Sequence, residues 1–221
     1  MKQNKKALVV FSGGLDSTVA LYWAMNNYEL VETVSFNYGS KHNEQEHAHA
    51  LKTCEKLGVK NTCIDLDFMN QYFKSDLLKS GGEIPEGAYN ADNMSSTVVP
   101  FRNGIMLSIA AGLAESKSLD VLVLGNHSGD HTTYPDCRPE FIAGITEAIF
   151  QGTCNNVEVV SPFCNITKTD IVKLGKELGV DFALTYSCYK GGELHCGKCG
   201  TCQERIEAFQ EAGVKDPTNY I

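Results

Sequence analysis

The chain has 221 residues, 43% hydrophobic and 21% charged, with a formal net charge of −8 at pH 7. That size and mix predict one soluble globular domain, or one domain with a small appendage, long enough to bury a sizeable core. The acidic balance, with no Lys/Arg run beyond Lys5-Lys6, argues against a protein that wraps a nucleic-acid backbone. No apolar stretch reaches the length of a membrane span. The N-terminus leads into a strand pattern without the marks of a signal peptide, so the expected location is cytoplasmic.

Short apolar runs alternate with helical stretches. Strands are expected at 6–11, 30–37, 61–67, 119–125 and 157–161, and helices at 16–27, 42–57, 103–117, 138–151, 168–178 and 201–212. Val121-Leu122-Val123-Leu124 is a continuous apolar run, as expected of a strand covered on both faces. Leu57-Gly58 and Leu178-Gly179 mark helix ends. This alternation predicts right-handed crossovers and an α/β fold. A Rossmann-like parallel sheet of about five strands, with helices on both faces, is expected over 1–180, and a small C-terminal tail over 181–221. Ligands in such folds collect at the carboxyl ends of the strands. The loops 12–17, 37–42 and 125–138 should therefore meet in one crevice. Segment 68–100 is long, polar and weakly periodic; it reads as a lid or substrate-side insertion, or else as a partly mobile loop.

The first of those loops is the most informative stretch. After the apolar run Ala7-Leu8-Val9-Val10-Phe11 come Ser12-Gly13-Gly14-Leu15-Asp16-Ser17, and an amphipathic helix begins. Such a junction aims backbone N–H groups and a helix N-terminus at one point, where a phosphate sits well. Gly13 and Gly14 let the backbone approach an anion, and Ser12, Ser17 and Thr18 add hydroxyls. Neither the G-x-x-x-x-G-K-[ST] nor the G-x-G-x-x-G pattern occurs in the chain.

Nine cysteines without secretion signals point to reduced thiols, some of them metal ligands. Cys188-x7-Cys196-x2-Cys199-x2-Cys202 offers four soft thiolates, which suit a closed tetrahedral Zn²⁺ site of structural role. An iron–sulfur cluster is the rival, although the Cys-Pro ending of a ferredoxin run is missing. His195 is expected beside the metal ligands or in solvent. Cys54 and Cys63 are expected to act as small apolar residues inside a helix and a strand. His47 and His49 fall on a polar helix face and are expected in solvent.

The Ser-Gly-Gly-x-Asp-Ser loop resembles that of the ATP pyrophosphatases, which cleave ATP between the α and β phosphates. Further segments narrow the likeness: Tyr38-Gly39 with His42, Val98-Val99-Pro100-Phe101-Arg102-Asn103, Asp130 followed by Tyr134-Pro135-Asp136-Cys137-Arg138-Pro139-Glu140-Phe141, Ile166-Thr167-Lys168-Thr169-Asp170, and Thr185-Tyr186-Ser187-Cys188-Tyr189. With the four-cysteine cluster, these run in order over essentially the whole chain, and they resemble the 7-cyano-7-deazaguanine synthases of queuosine biosynthesis. The resemblance implies an adenine nucleotide alpha hydrolase-like fold and an ATP-dependent C–N ligase. Its substrates would be 7-carboxy-7-deazaguanine and ammonia, with Mg²⁺ and Zn²⁺, and it would be a homodimer with no direct nucleic-acid contact.

It also implies roles. Phe11, Ser12, Gly13, Gly14, Leu15, Asp16, Ser17 and Thr18 would form the nucleotide-binding loop, with Asp16 as an additional Mg²⁺ ligand and Asp16 and Ser17 in the chemistry. Arg102 and Lys168 would hold phosphate. His42 would help deprotonate ammonium, or bind phosphate. Tyr38, Asp130, Tyr134 and Asp136 would meet the substrate, one of the carboxylates reading the guanine edge. Arg138 would meet the 7-carboxylate or cap the next helix. His127 and His131 would flank the substrate loop. Cys188, Cys196, Cys199 and Cys202 would hold zinc. Two other readings stay open: a relative that adenylates another acceptor, such as a tRNA base to be thiolated, and a nucleotide sensor without turnover. Activation by phosphorylation is the alternative to adenylation.

Overall fold

The computed structural model describes residues 2–221. The expected strands form as β1 (Gln3–Val10), β2 (Tyr28–Asn37), β3 (Asn61–Asp65), β4 (Val121–Val123) and β5 (Glu158–Val160). Between them lie α1 (Leu15–Asn27), α2 (Asn43–Leu57), α3 (Phe68–Tyr72), α4 (Ala91–Met94), α5 (Arg102–Ser116) and α6 (Pro139–Gly152), followed by α7 (Lys168–Glu177) and α8 (Gly200–Ala212). All strand pairings are parallel, in the order β3-β2-β1-β4-β5. β1 is central. The chain lays down β1 to β3 in one direction and then returns to place β4 on the other side of β1, which opens a crevice above the carboxyl ends of β1 and β4.

Side chains alternate across the sheet, so one apolar run fills two cores. Ala7, Val9, Val121 and Val123 pack against Val19 and Ala20 of α1, Ile171 and Val172 of α7, and Phe209 of α8. Leu8 and Leu122 point the other way, onto Leu107 and Ala110 of α5 and Ile142 of α6. Each large side chain so buried stabilises the fold by about 1.5–3 kcal/mol.

Segment 68–100 is a packed insertion. Met69, Leu77, Leu78, Ile84 and Val99 are buried in the core on the α5 side, and Met94 is fully buried as well. It is also held by charge: the Lys41 ammonium donates to the carbonyls of Asp76, Leu78 and Gly82, with that of Gly81 at 3.5 Å. Residues 181–221 share both cores with the rest of the chain, through Cys188 and Cys202 on one side and Phe182 and Phe209 on the other. Arg205, almost fully buried, ties the tail together by pairing with Asp216 at 3.1 Å and donating to the Thr185 hydroxyl at 2.7 Å.

Candidate active site

A cavity of about 440 Å³ opens above the carboxyl ends of β1, β2 and β4, and all three predicted loops reach it. Its floor is the loop 11–17. Gly13, at φ +87°, lies so close to α2 that a Cβ there would sit 2.4 Å from the Glu46 carbonyl oxygen. Only glycine fits, so the loop is clamped on α2. Gly14 N donates to Ser12 Oγ at 3.1 Å, and Ser12 Oγ lies 3.1 Å from Ser17 Oγ. Phe11, Ser12, Gly14, Leu15, Asp16 and Ser17 line the cavity. Gly13 and Thr18 do not; Thr18 is buried, and its hydroxyl donates back to the Gly14 carbonyl at 2.7 Å. The expected phosphate contact of Thr18 is replaced by an internal bond of helix α1.

Lys168 is the first residue of α7. A capping box aims it: Thr167 accepts from the Asp170 N–H while the Asp170 carboxylate accepts from the Thr167 N–H. Its ammonium lies 3.1 Å from Asp16 Oδ2 and 2.6 Å from Glu204 Oε2. Burial works against the charge of Lys168, but Asp16, Glu204 and Asp130 outweigh it and raise its pKa well above the ordinary value. Asp16 Oδ1 is buried with no hydrogen-bond partner. Burial would raise the pKa of Asp130 too, yet His127 and Lys168 hold it below the ordinary carboxylate value, helped by a hydrogen bond from the Tyr89 hydroxyl at 2.9 Å. Glu204 and Tyr89 have no local sequence signal; α8 and the insertion bring them in.

On the opposite side Arg102 opens α5. Phe101 before it adopts φ +53°, a left-handed conformation that costs about 1–2 kcal/mol in a non-glycine residue. That turn sends the Arg102 guanidinium into the cavity, where it donates to the Tyr38 hydroxyl at 3.1 Å and lies over the rings of Tyr38 and Tyr134. Among the described residues no carboxylate lies within 4.0 Å of it, so most of its donors remain open to a ligand.

α2 contributes a carboxylate that no motif signals. Glu46 lines the cavity, with Oε2 3.4 Å from His42 Nε2. Burial raises its pKa to about 8, against the pull of Arg102. Burial, with Arg102 nearby, lowers that of His42 to about 3. His42 is thus a neutral imidazole stacked on Tyr189 at 5.0 Å, too weak a base for the ammonium role expected of it.

These two shifts set a pH dependence of stability. Between the unfolded Glu46 value of 4.5 and the folded value of about 8, the folded chain binds the extra proton, so stability falls as pH rises. His42 binds a proton only when unfolded below 6.5, so stability falls as pH drops toward 3. The two offset each other between about pH 4.5 and 6.5. Urea unfolding of wild type and E46Q from pH 4 to 9 should show the variant gaining on wild type as pH rises to 8, by a few kcal/mol, and levelling beyond. A difference that does not change with pH would mean that Glu46 is ionised throughout.

The substrate residues divide. Tyr38, Asp130 and Tyr134 line the cavity; Asp136 and Arg138 do not. The buried Asp136 carboxylate accepts from Asn103 N at 2.7 Å, holding the start of α5. Arg138 donates to the His131 carbonyl at the start of α6. Their residue types suited a ligand, but the adjacent backbone claims both. His127 is buried against Asp130 and Glu204, outside the cavity, and His131 lies 3.8 Å from Cys164. The solvated histidines also differ from expectation: His47 lines the cavity, and His49 bonds the Leu184 carbonyl at 2.9 Å. Cys54 is buried as expected, but Cys63, on the edge strand β3, is exposed at the cavity rim.

The four tail cysteines converge, their sulfurs all within 4.8 Å of one another. Backbone N–H groups of Lys198 and Cys199 point at Cys196 Sγ, and that of Cys196 at Cys188 Sγ, a donor set that stabilises thiolates. The geometry fits a single tetrahedral ion better than a cluster with several metals between the thiolates. His195 is neither ligand nor exposed; its Nε2 accepts from the Ser187 N–H at 2.9 Å. The cluster also touches the insertion: Glu86 bridges to Cys199, and Gly87 N donates to the Lys198 carbonyl at 2.8 Å.

The sheet order, with the loop above β1, is that of the adenine nucleotide alpha hydrolase-like fold. Two solved structures share the fold at a TM-score of 0.51: an NMN synthetase from Francisella tularensis, 15% identical, covering 96% of this chain and 79% of its own, and a tRNA thiolase from Methanococcus maripaludis, described with its 4Fe-4S cluster, 16% identical, covering 95% and 65%. Within that class, the sequence profile described as "Queuosine biosynthesis protein QueC" matches residues 6–213, and the chain belongs to this family. A 7-cyano-7-deazaguanine synthase from Porphyromonas gingivalis is 55% identical over 220 residues, which is 100% of this chain and 99% of that protein. One from Desulfotalea psychrophila is 50% identical over 215 residues, 97% of this chain and 98% of that protein.

Proposed function

We propose that the protein converts 7-carboxy-7-deazaguanine and ammonia to 7-cyano-7-deazaguanine at the expense of ATP, through adenylated intermediates, as an ATP-dependent C–N ligase of queuosine biosynthesis. The observation that carries this reading is that a phosphate-type loop and a partly buried guanidinium with open donors share one cavity. A carboxylate is a poor electrophile. Its oxygen first attacks the α-phosphate, releasing pyrophosphate; ammonia then displaces AMP to give the amide. A second activation, now at the amide oxygen, lets the nitrile form. The protein's part is positioning and charge stabilisation.

Ser12, Gly14 and Ser17 cradle the phosphates, with Lys168 beside them. Asp16, whose Oδ1 has no partner, would hold Mg²⁺, which neutralises charge on the departing pyrophosphate. Asp130 takes the base-reading role because its carboxylate lines the cavity. The four cysteines would hold Zn²⁺, which supplies structure. No described helix is long and apolar enough to cross a membrane. The reading includes ammonia as substrate and a homodimer, as the family resemblance implies, and a cytoplasmic location, as expected from the sequence.

Mass spectrometry of a reaction with protein, ATP, Mg²⁺, ammonium and 7-carboxy-7-deazaguanine tests it. The nitrile and AMP are the expected products. ADP in place of AMP would mean phosphorylation, and neither amide nor nitrile would sink the reading. D16N is expected to lose more than 100-fold in turnover with an unchanged circular dichroism spectrum; near-wild-type turnover would remove Asp16 from the site.

A further inference from the structure

We propose that Glu46 is the ammonium-binding carboxylate of this site and the base that takes the first proton from ammonium. This rests on the function proposed above and adds a residue and a role to it.

The geometry begins with an apparent conflict. Glu46 lies beside a loop built for anions: a Cβ on Gly14 would be 3.7 Å from Glu46 Oε1. A negative carboxylate there repels phosphate and the substrate carboxylate alike. It is tolerable if it stays protonated or if it meets a cation. The groups facing it are His42 from its own helix, Tyr38 after β2, Arg102 from α5 and the Ser12 hydroxyl from the loop. None is a cation within ion-pair distance, since His42 is neutral and Arg102 lies beyond 4.0 Å. Among the described residues Glu46 therefore has no charged cationic partner, and its carboxyl faces the cavity, where a small cation would meet it. Two further polar atoms, Nδ1 of His42 at the N-cap of α2 and Nδ1 of His47 within it, are buried without partners among the described residues. Of the two substrates to be joined, only ammonium carries positive charge.

The proton balance fits. Glu46 as carboxylate takes one proton from ammonium and becomes the neutral acid. The freed nitrogen lone pair forms the C–N bond at the adenylated carbonyl carbon. The C–O bond to AMP then breaks, and the nitrogen loses its second proton to solvent. Neutralised by that proton, Glu46 no longer repels the anions beside it. A carboxyl pushed up to about 8 accepts a proton from ammonium far more readily than an ordinary carboxylate, or than His42 at about 3.

The test compares wild type, E46Q and E46D in two assays. One is ATP–pyrophosphate exchange with 7-carboxy-7-deazaguanine and no ammonium; the other is kcat/KM for total ammonium from pH 6 to 9.5. For E46Q, kcat/KM for ammonium is expected to fall at least tenfold more than exchange does, and its pH profile to lose the limb near 8. E46D should recover part of the ammonium step. Equal losses in both assays, or an unchanged pH profile, would overturn the proposal and leave Glu46 a positioning group of the loop. A wild-type enzyme that shows neither exchange nor nitrile would instead overturn the underlying function.

Discussion

Replacing Arg102 with methionine is expected to lower kcat/KM for nitrile formation by about 10²–10³-fold while leaving the melting temperature unchanged or higher. The rate effect follows from an electrostatic group lost from a water-poor site, where one such donor is worth about 3–4 kcal/mol. Among the described residues the Arg102 guanidinium hydrogen-bonds only to the Tyr38 hydroxyl, so the anion that the proposed function assigns to it would come from a ligand. The stability effect has the opposite sign for the same reason. The partly buried guanidinium has no ion pair to lose, and an apolar residue of similar length keeps the packing of its stem while sparing its desolvation. The substitution also removes a charge that holds the Glu46 pKa down, so Glu46 should titrate at still higher pH. R102K should recover only part of the activity, because an ammonium cannot reproduce the planar fork. Steady-state kinetics and thermal unfolding on the same preparations check this. Activity within tenfold of wild type would place the anion elsewhere, and a collapsed melting temperature would make Arg102 a structural residue.

Removing the metal from the four-cysteine site is expected to cost the tail and the substrate wall together, and the sheet last. A structural zinc site of this kind contributes about 10 kcal/mol or more to the order of its ligands. Here that order is passed on. Glu86 bridges to Cys199, Lys190 pairs with Glu86, and Gly200 has no room for a Cβ against Met94. Three residues beyond Glu86, Tyr89 donates to Asp130. Chelation, or C202S, should therefore raise hydrogen exchange first in 84–94 and 188–202, while β1 and β4 stay protected. Metal analysis should find one zinc per chain, and cobalt substitution should give the absorption of a tetrahedral four-thiolate site. Uniform loss of protection would mean that the site holds up the whole fold. Loss confined to 188–202 would mean that the insertion stands without it.

How far the sequence carried depends on distance along the chain. The loop 12–17 was readable because its residues act within one turn of backbone, whereas the capping box at Thr167 emerged only from the structure. The cysteines were readable because a short spacing with glycines can hardly avoid bringing four thiols together. Thr18 and Asp136 were misplaced for the opposite reason: a hydroxyl or carboxylate near a site is chemically fit for a ligand, but a neighbouring carbonyl or N–H can claim it first. Glu46, Glu204 and Tyr89 carried no signal at all. Each is an ordinary polar residue in an ordinary polar stretch.

The sequence by itself determined the order of elements, the doubly covered parallel sheet, the phosphate-type loop and the thiolate cluster. Continuous apolar runs, glycines at forced turns and closely spaced ligands are local facts that survive in one dimension. Only the tertiary structure decided which charges face one another. It set α2 against the loop so that Glu46 overlooks it, brought α8 over α7 so that Glu204 meets Lys168, and closed the insertion so that Tyr89 reaches Asp130. Burial and proximity across elements set the charge state of these groups, and neither exists until the chain is folded.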